Sequence, residues 1–135
     1  MPVKAHDVYH QVRTTTADPI ELTSMLFEAA VSSLRKARIH HKERAVKRYA
    51  ESVEKAYLII GELFATLDLE QGELPVRLAA IYTYCLSQLT EASLGDGSRI
   101  DEVEKHIARI SAAWRVAAES YRSSSEYQQY AQSVA

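Results

Sequence analysis

Residues 12–30 read VRTTTADPIELTSMLFEAA, and this stretch specifies where the first helix of the chain begins. Asp18 is a good N-cap, Pro19 takes the first helical position, where its missing N–H does no harm, and Glu21 falls at the third. The β-branched run Thr14-Thr15-Thr16 resists the helical conformation because its side chains are restricted at χ1. The stretch therefore predicts a helix that begins at Pro19 and follows an extended arm.

Glycine and proline are rare, at four and three residues, and they mark where three further helices begin and end. The first helix ends among His40, His41 and Lys42, and Pro75 and Ser98 open the third and fourth helices. The four predicted helices span about residues 19–39, 43–67, 75–93 and 98–121. Because the connections are short, neighbouring helices should run antiparallel, which gives an all-α, up-down-up-down four-helix bundle.

The predicted domain organisation is a single bundle with one flanking segment at each end. The bundle domain covers residues 1–122, and residues 1–17 of it form an N-terminal arm, extended or folded as a short cap. Residues 123–135 are polar and aromatic without an apolar stripe, so we predict a mobile or partner-dependent C-terminal tail.

The composition sets limits on location and partners. The 135 residues include 16 basic and 18 acidic side chains, a formal net charge of −2, which gives no global electrostatic reason to bind nucleic acid. The N-terminus lacks the apolar core of a secretory signal, and no stretch approaches the roughly 18 apolar residues of a membrane span. We therefore expect a cytoplasmic protein without membrane insertion, and the single cysteine, Cys85, suits a reducing compartment.

Motifs for catalysis, metal binding or cofactor binding are not found in the sequence. Glu-x-x-His pairs, which di-iron and di-manganese bundles need, do not occur, and no glycine-rich phosphate loop is present. His40 and His41 fall at a predicted helix corner, where solvation or capping explains them. Cys85 lies on an apolar helical face, which indicates a buried thiol. We predict no enzyme activity, no metal and no cofactor.

Surplus apolar residues on the first three helices are the main functional signal. The fourth helix has one apolar stripe, as expected for a helix that faces a single core. Each of the others carries a second set at helical spacing, which either widens the core and lies under the arm and tail or forms a groove for a partner. The candidate groove residues of these sets are Phe27 and Val31 on the first helix, Tyr49 and Ile59 on the second, and Val76, Ala80 and Tyr84 on the third.

Gly61 and residues 35–48 each have two interpretations from the sequence. Gly61 interrupts the second helix, which indicates close packing against a neighbouring helix or, alternatively, a functional kink. Residues 35–48 are rich in Lys, Arg and His, which suggests either a solvated corner or a site for nucleic acid or an acidic partner. The solvated corner is favoured because the cations are split across a turn and no aromatic residues are interleaved with them.

The order and spacing of many of these residues resemble the flagellar export chaperone FliS family. The similar residues are Tyr9, 14–22 (TTTADPIEL), 25–30 (MLFEAA), Lys55-Ala56, 59–63 (IIGEL), Leu67-Asp68, 72–74 (GEL), Leu78, Ile81-Tyr82, Leu89 and Ala113-Trp114. Each segment alone is ordinary helix sequence, whereas the ordered set is specific. The resemblance covers about residues 9–115.

This resemblance implies a non-enzymatic chaperone that binds the disordered C-terminal segment of monomeric flagellin and prevents its premature polymerisation. The surplus apolar residues listed above would then form the partner-binding surface, and Val8 and Tyr9 of the arm would cap or border it. Flagellar export-gate or regulatory proteins are possible further partners, and no nucleic acid is expected. Two alternatives stay open: a bundle that oligomerises through the same apolar surface, and a regulatory or nucleic-acid-binding module that uses residues 35–48.

Overall fold

The computed structural model describes residues 19–134, which fold into five α-helices and contain no β-strand. The helices are α1 (Pro19–Lys42), α2 (Val46–Ala65), α3 (Glu73–Ser93), α4 (Ile100–Arg122) and α5 (Ser125–Val134), with a 3₁₀ turn at Gly97–Arg99. Each of α1 to α4 packs against the next along the chain, and α4 also packs against α1. The predicted four-helix bundle is confirmed. The N-terminal arm, with Val8 and Tyr9, and the predicted cap Asp18 lie outside the described residues.

The core is built from one broad apolar arc on each of the four long helices. Its largest fully buried side chains are Leu26, Leu34, Val53, Ile59, Ile60, Leu63, Tyr82, Cys85, Leu89, Ile100, Val103 and Ile107. Leu78, Ile110 and Trp114 are partly buried and pack against this cluster. The arc of α4 agrees with its predicted single stripe, since Ile100, Val103 and Ile107 are buried in register.

Helix boundaries differ from the prediction by up to about three residues: α1 continues to Lys42, α2 spans Val46–Ala65, and the starts of α3 and α4 also differ. α3 begins at Glu73, because Gly72 takes a positive φ of 108° that redirects the chain, and Pro75 lies within the first turn. Ser98 is not the N-cap of α4: its hydroxyl group hydrogen-bonds the Asp96 carboxylate inside the 3₁₀ turn, and Arg99 precedes the helix. Short polar side chains bond neighbouring residues in turns as readily as they cap helices.

Gly61 does not mark a close helix contact, so the favoured interpretation of this residue is wrong. A Cβ placed there would meet no atom of a neighbouring element within 4 Å. The close approach in this bundle occurs instead at Gly97, where an added Cβ would overlap the ring of His41. A side chain at position 97 would therefore push the loop before α4 away from the end of α1.

The segment after residue 122 contains regular structure that the sequence analysis missed. Ser125–Val134 form α5, which packs against α4. The helix is short and polar, so its apolar pattern was too weak to identify. The proposed mobility of residues 123–135 stays a prediction.

Candidate partner-binding surface

Three of the predicted groove residues lie in the core and not on an outer face. Phe27, Tyr49 and Ile59 are 2%, 9% and 0% exposed. The Phe27 ring packs against Trp114 with ring centroids 6.0 Å apart. The Tyr49 hydroxyl donates a 2.7 Å hydrogen bond to the Ala92 carbonyl oxygen. Their expected placement on a surface groove is wrong, because both apolar sets of α1 and α2 are needed to fill the space between helices.

Val31 lies at the border between the core and the surface. It is partly buried, packs against the core cluster, and lines a cavity of about 340 Å³ between α1 and α4. Glu28, Arg35 and Arg115 line the same cavity, so its rim is charged. A charged rim does not suit a partner that binds through apolar side chains.

The second apolar set of α3 is exposed, as predicted. Val76 and Tyr84 are 53% and 40% exposed, and Ala80, one helical turn from each, is also exposed. The core side of the helix is occupied by Tyr82 and Cys85, which are 2% and 0% exposed. We refer to Val76, Ala80 and Tyr84 as the outer face of α3.

An apolar groove between α2 and α3 adds to this surface. It holds a cavity of about 400 Å³, whose lining residues are Ala50, Val53, Glu54, Tyr57, Leu58, Leu89, Thr90 and Ser93. We call it the α2–α3 groove. Tyr57, at its rim, is 41% exposed, and Phe64, two turns further along α2, is 38% exposed.

Tyr57 and Phe64 are candidate binding residues that were not predicted from the sequence. On α2 they belong to the same row of apolar residues as Val53 and Ile60, which are buried. Helical spacing alone therefore does not show which members of this row are exposed. The available signal was the spacing: seven residues place Tyr57 and Phe64 on one line along the helix, at the edge of the apolar arc. Aromatic rings at such an edge contact solvent on one side and the core on the other.

The hydroxyl group of Tyr84 is fixed by a polar contact with α4. It donates a 2.7 Å hydrogen bond to the Glu102 carboxylate, and the His106 ring packs edge-on against the tyrosine ring with centroids 5.9 Å apart. The Glu102 hydrogen bond, more than burial, raises the pKa of Tyr84 above its usual value of 10. The residue therefore stays neutral at physiological pH and offers an oriented ring on the surface.

The opposite side of the bundle is closed by polar contacts between α1 and α4. Trp114 Nε1 donates to Ser24 Oγ at 2.8 Å, and Arg122 forms an ion pair with Glu21 at 2.6 Å. Arg38 pairs with Glu104 at 2.8 Å further along the same interface. The exposed apolar side chains suited to a partner are thus concentrated on the side formed by α2 and α3.

The groups with catalytic potential are in unreactive surroundings. Cys85 is fully buried, and burial raises the pKa of its thiol to about 11, so the nucleophilic thiolate is scarce at neutral pH. Within residues 19–134, His, Cys, Asp and Glu side chains form no group of three that could hold a metal ion. None of the described helices combines the length and apolar character needed to cross a bilayer.

Comparison with known proteins shows a consistent relationship. Residues 2–121 match the family model described as flagellar protein FliS. The chain is 37% identical over 103 residues to the flagellar secretion chaperone FliS of Salmonella typhimurium, covering 74% of this chain and 76% of the relative. It is 32% identical over 118 residues to FliS of Bacillus subtilis, with coverage of 87% and 88%. It is 30% identical over 118 residues to FliSB of Pseudomonas aeruginosa, with coverage of 83% and 94%.

Proposed function

The chain belongs to the FliS family of flagellar secretion chaperones, and from this we propose that it is a flagellar export chaperone that holds monomeric flagellin in the cytoplasm. It binds the C-terminal segment of flagellin and so prevents polymerisation before export. The binding surface is the outer face of α3 together with the α2–α3 groove. The protein performs no chemistry on its partner; its activity is binding and release.

The exposed apolar area on α2 and α3 is the observation that carries this proposal. Val76 and Tyr84 on one side of α3, and Tyr57 and Phe64 across the groove, are all more than a third exposed. Tyr84 lies beside α4 and Tyr57 lines the α2–α3 groove, so exposed apolar side chains lie on both sides of α3, and exposed apolar area of this kind marks an interaction surface. The surface follows α3, whose 21 residues extend over about 31 Å, long enough for a partner helix of several turns.

A disordered partner suits such an elongated surface. A segment that folds on binding can cover a long, shallow face because it wraps around the bundle, and helices in grooves are a common mode of peptide recognition. The cost of ordering the segment opposes binding, whereas burial of apolar side chains drives it. The flagellin segment would be held firmly enough to prevent assembly and would still be released at export.

The N-terminal arm has a separate role in the proposed function. We propose that Val8 and Tyr9 cover part of the apolar surface when flagellin is absent and leave it when flagellin binds. This function follows from the sequence, where an apolar pair precedes the firm helix start at Pro19. Export-gate or regulatory proteins as additional partners stay predictions.

A pair of matched valine substitutions tests the proposed surface. Val76 lies on the outer face of α3, and Val116 lies on α4; they are 53% and 69% exposed. Val76→Asp should weaken binding of the flagellin C-terminal segment at least tenfold, because it places a charge in a contact that must lose water. Val116→Asp introduces the same charge elsewhere and should change affinity less than twofold. Isothermal titration calorimetry with flagellin of the same organism measures both.

The same proteins separate the proposal from its two alternatives. A bundle that functions by self-association would sediment as a stable oligomer, lose it in Val76→Asp, and show no affinity for flagellin. A nucleic-acid-binding module would bind DNA or RNA with an affinity that falls steeply as salt increases. Equal loss of flagellin binding in the two valine variants would remove the outer face of α3 from the proposed site.

A further inference from the structure

The end of the bundle formed by the α1–α2 turn carries unpaired positive charge. Lys42, Arg44, Lys47 and Arg48 are exposed, and none of them forms a salt bridge with another described residue. Glu43 is the only acidic residue among residues 35–48. We refer to these four cations as the basic end.

Lys42 suits the C-terminal end of α1, but the stability of the fold does not explain why the other three cations occupy their positions. Arg44 has a φ of +57°, and the bonds from Arg44 N–H to the His41 carbonyl and from Ala45 N–H to the His40 carbonyl make the turn a Schellman motif, in which glycine is preferred. Lys47 and Arg48 lie in the first turn of α2, which contains no acidic residue, and the helix dipole disfavours cations there. Arg44, Lys47 and Arg48 are thus each unfavourable for the local structure, and all three place positive charge at the same end of the bundle.

The basic end is a fixed part of the bundle, and apolar side chains project beside it. The His41 ring packs against Tyr49 at 5.4 Å between centroids and leaves no room for a side chain at Gly97. Tyr49 bonds to the carbonyl of Ala92, so the α1–α2 turn is joined to the end of α3. At this same end Val46 and Leu94 are each 78% exposed.

We propose that the basic end docks on the surface of an anionic lipid bilayer. Lysine and arginine are attracted to acidic headgroups, and Val46 and Leu94 would enter the boundary between headgroups and acyl chains. Protein segments and nucleic acids fit the observations less well. The two apolar side chains project from the end, residues 35–48 contain no Phe, Tyr or Trp, and the exposed His41 ring already packs against Tyr49, which leaves few rings for base stacking.

The charge distribution also determines the orientation of the docked molecule. The net charge is −2, and Asp68, Glu70 and Glu73 lie at the opposite end of the bundle, in and beside the α2–α3 loop. Acidic residues also lie near the basic end, but Asp96, Asp101 and Glu104 are each paired with a cation there. An anionic surface therefore attracts the basic end more strongly than the opposite end. The bundle would stand on its basic end, and the outer face of α3, which runs along its side, would stay accessible to another protein. Docking would leave the outer face of α3 free, whereas the α2–α3 groove reaches the basic end at Ala50 and Ser93.

Vesicle co-sedimentation with the full chain tests this proposal. The probes are vesicles of phosphatidylglycerol with phosphatidylcholine, and vesicles of phosphatidylcholine alone. The test variant is Arg44→Gly with Lys47→Gln, and the control, Arg77→Gln with Arg109→Gln, makes the same change in net charge on α3 and α4. Each cation near an anionic surface contributes about fivefold to binding, so the test variant should bind acidic vesicles about 25-fold more weakly. The control should stay within twofold of the unmodified chain.

Two further measurements distinguish docking from misfolding and from other partners. Arg44→Gly alone relieves a left-handed conformation, so it should raise the melting temperature while weakening vesicle binding. Val46→Ser with Leu94→Ser should weaken binding to acidic vesicles several-fold without changing its dependence on salt. Equal binding to the two vesicle types, or equal losses in the test and control variants, would overturn the proposal. It would also be overturned if DNA or polyglutamate bound the basic end while acidic vesicles did not.

Discussion

The surplus apolar residues of α2 and α3 look alike in the sequence and have opposite positions in the structure. Tyr49 and Ile59 of α2 are 9% and 0% exposed, whereas Val76 and Tyr84 of α3 are 53% and 40% exposed. α2 packs more extensively against α1 than α3 does against α4. A helix with closely packed neighbours on both sides needs a wide apolar arc, so a second stripe marks a binding surface only where one neighbour is less closely packed.

The hydroxyl groups of Tyr49 on α2 and Tyr84 on α3 show the same difference between the two helices. Each hydroxyl group donates a 2.7 Å hydrogen bond, Tyr49 to the Ala92 carbonyl oxygen and Tyr84 to the Glu102 carboxylate. The first bond is buried and the second is exposed. Burial, followed by the nearby Asp96 carboxylate, raises the pKa of Tyr49, while the pKa of Tyr84 is raised mainly by its bonded partner. Equal bond lengths therefore do not imply equal contributions to stability.

The largest expected effect comes from a candidate residue that turned out to be in the core. Phe27→Ala should lower the free energy of unfolding by about 3–5 kcal/mol, because it removes a fully packed ring and leaves a cavity beside Trp114. Urea denaturation followed by circular dichroism measures the change. Flagellin affinity, measured where the variant is still folded, should be nearly unaltered. A small loss of stability combined with a large loss of affinity would instead show that Phe27 contributes to flagellin binding.

The sequence was sufficient to predict the bundle and insufficient to orient its helices. Helix positions follow from local signals such as Pro19 and the glycine-containing loops, which act over a few residues. Which stripe of a helix faces the core depends on the distance and rotation of its neighbours, and these are properties of the packed structure. Tyr49 and Ile59 were therefore predicted in a groove and lie in the core, while the exposed positions of Tyr57 and Phe64 could not be predicted.

A smaller effect is expected for the buried tyrosine. Tyr49→Phe removes the donor to the Ala92 carbonyl oxygen, which also accepts a hydrogen bond from the Gly95 N–H at 3.1 Å. Because that second donor still satisfies the carbonyl, we expect a loss near the lower end of the range for buried hydrogen bonds, about 1 kcal/mol. Thermal and urea denaturation check this value. A neutral result would show that the phenol ring, and not its hydroxyl group, joins the α1–α2 turn to the end of α3.

The smallest expected effect on stability is at Tyr84, where the change should appear in binding. Tyr84→Phe removes an exposed hydrogen bond to Glu102 and should alter the free energy of unfolding by less than about 0.5 kcal/mol. The ring remains, so flagellin affinity should remain as well. Tyr84→Ala should also leave the fold stable, and it should weaken flagellin binding several-fold because it removes the apolar ring from the outer face of α3.

Tyr84→Phe tests whether the exposed hydrogen bond stabilises the fold, and Tyr84→Ala tests whether the exposed ring binds the partner. If Tyr84→Phe costs as much stability as Tyr49→Phe, the bond to Glu102 is as important to the fold as a buried one, and the outer face of α3 belongs to the core. If Tyr84→Ala binds flagellin as tightly as the unmodified chain, the exposed ring has no part in recognition. Only a stable Tyr84→Ala protein with weakened binding agrees with a stripe left exposed for a partner, because in that case the ring contributes its burial energy to the complex and not to the free bundle.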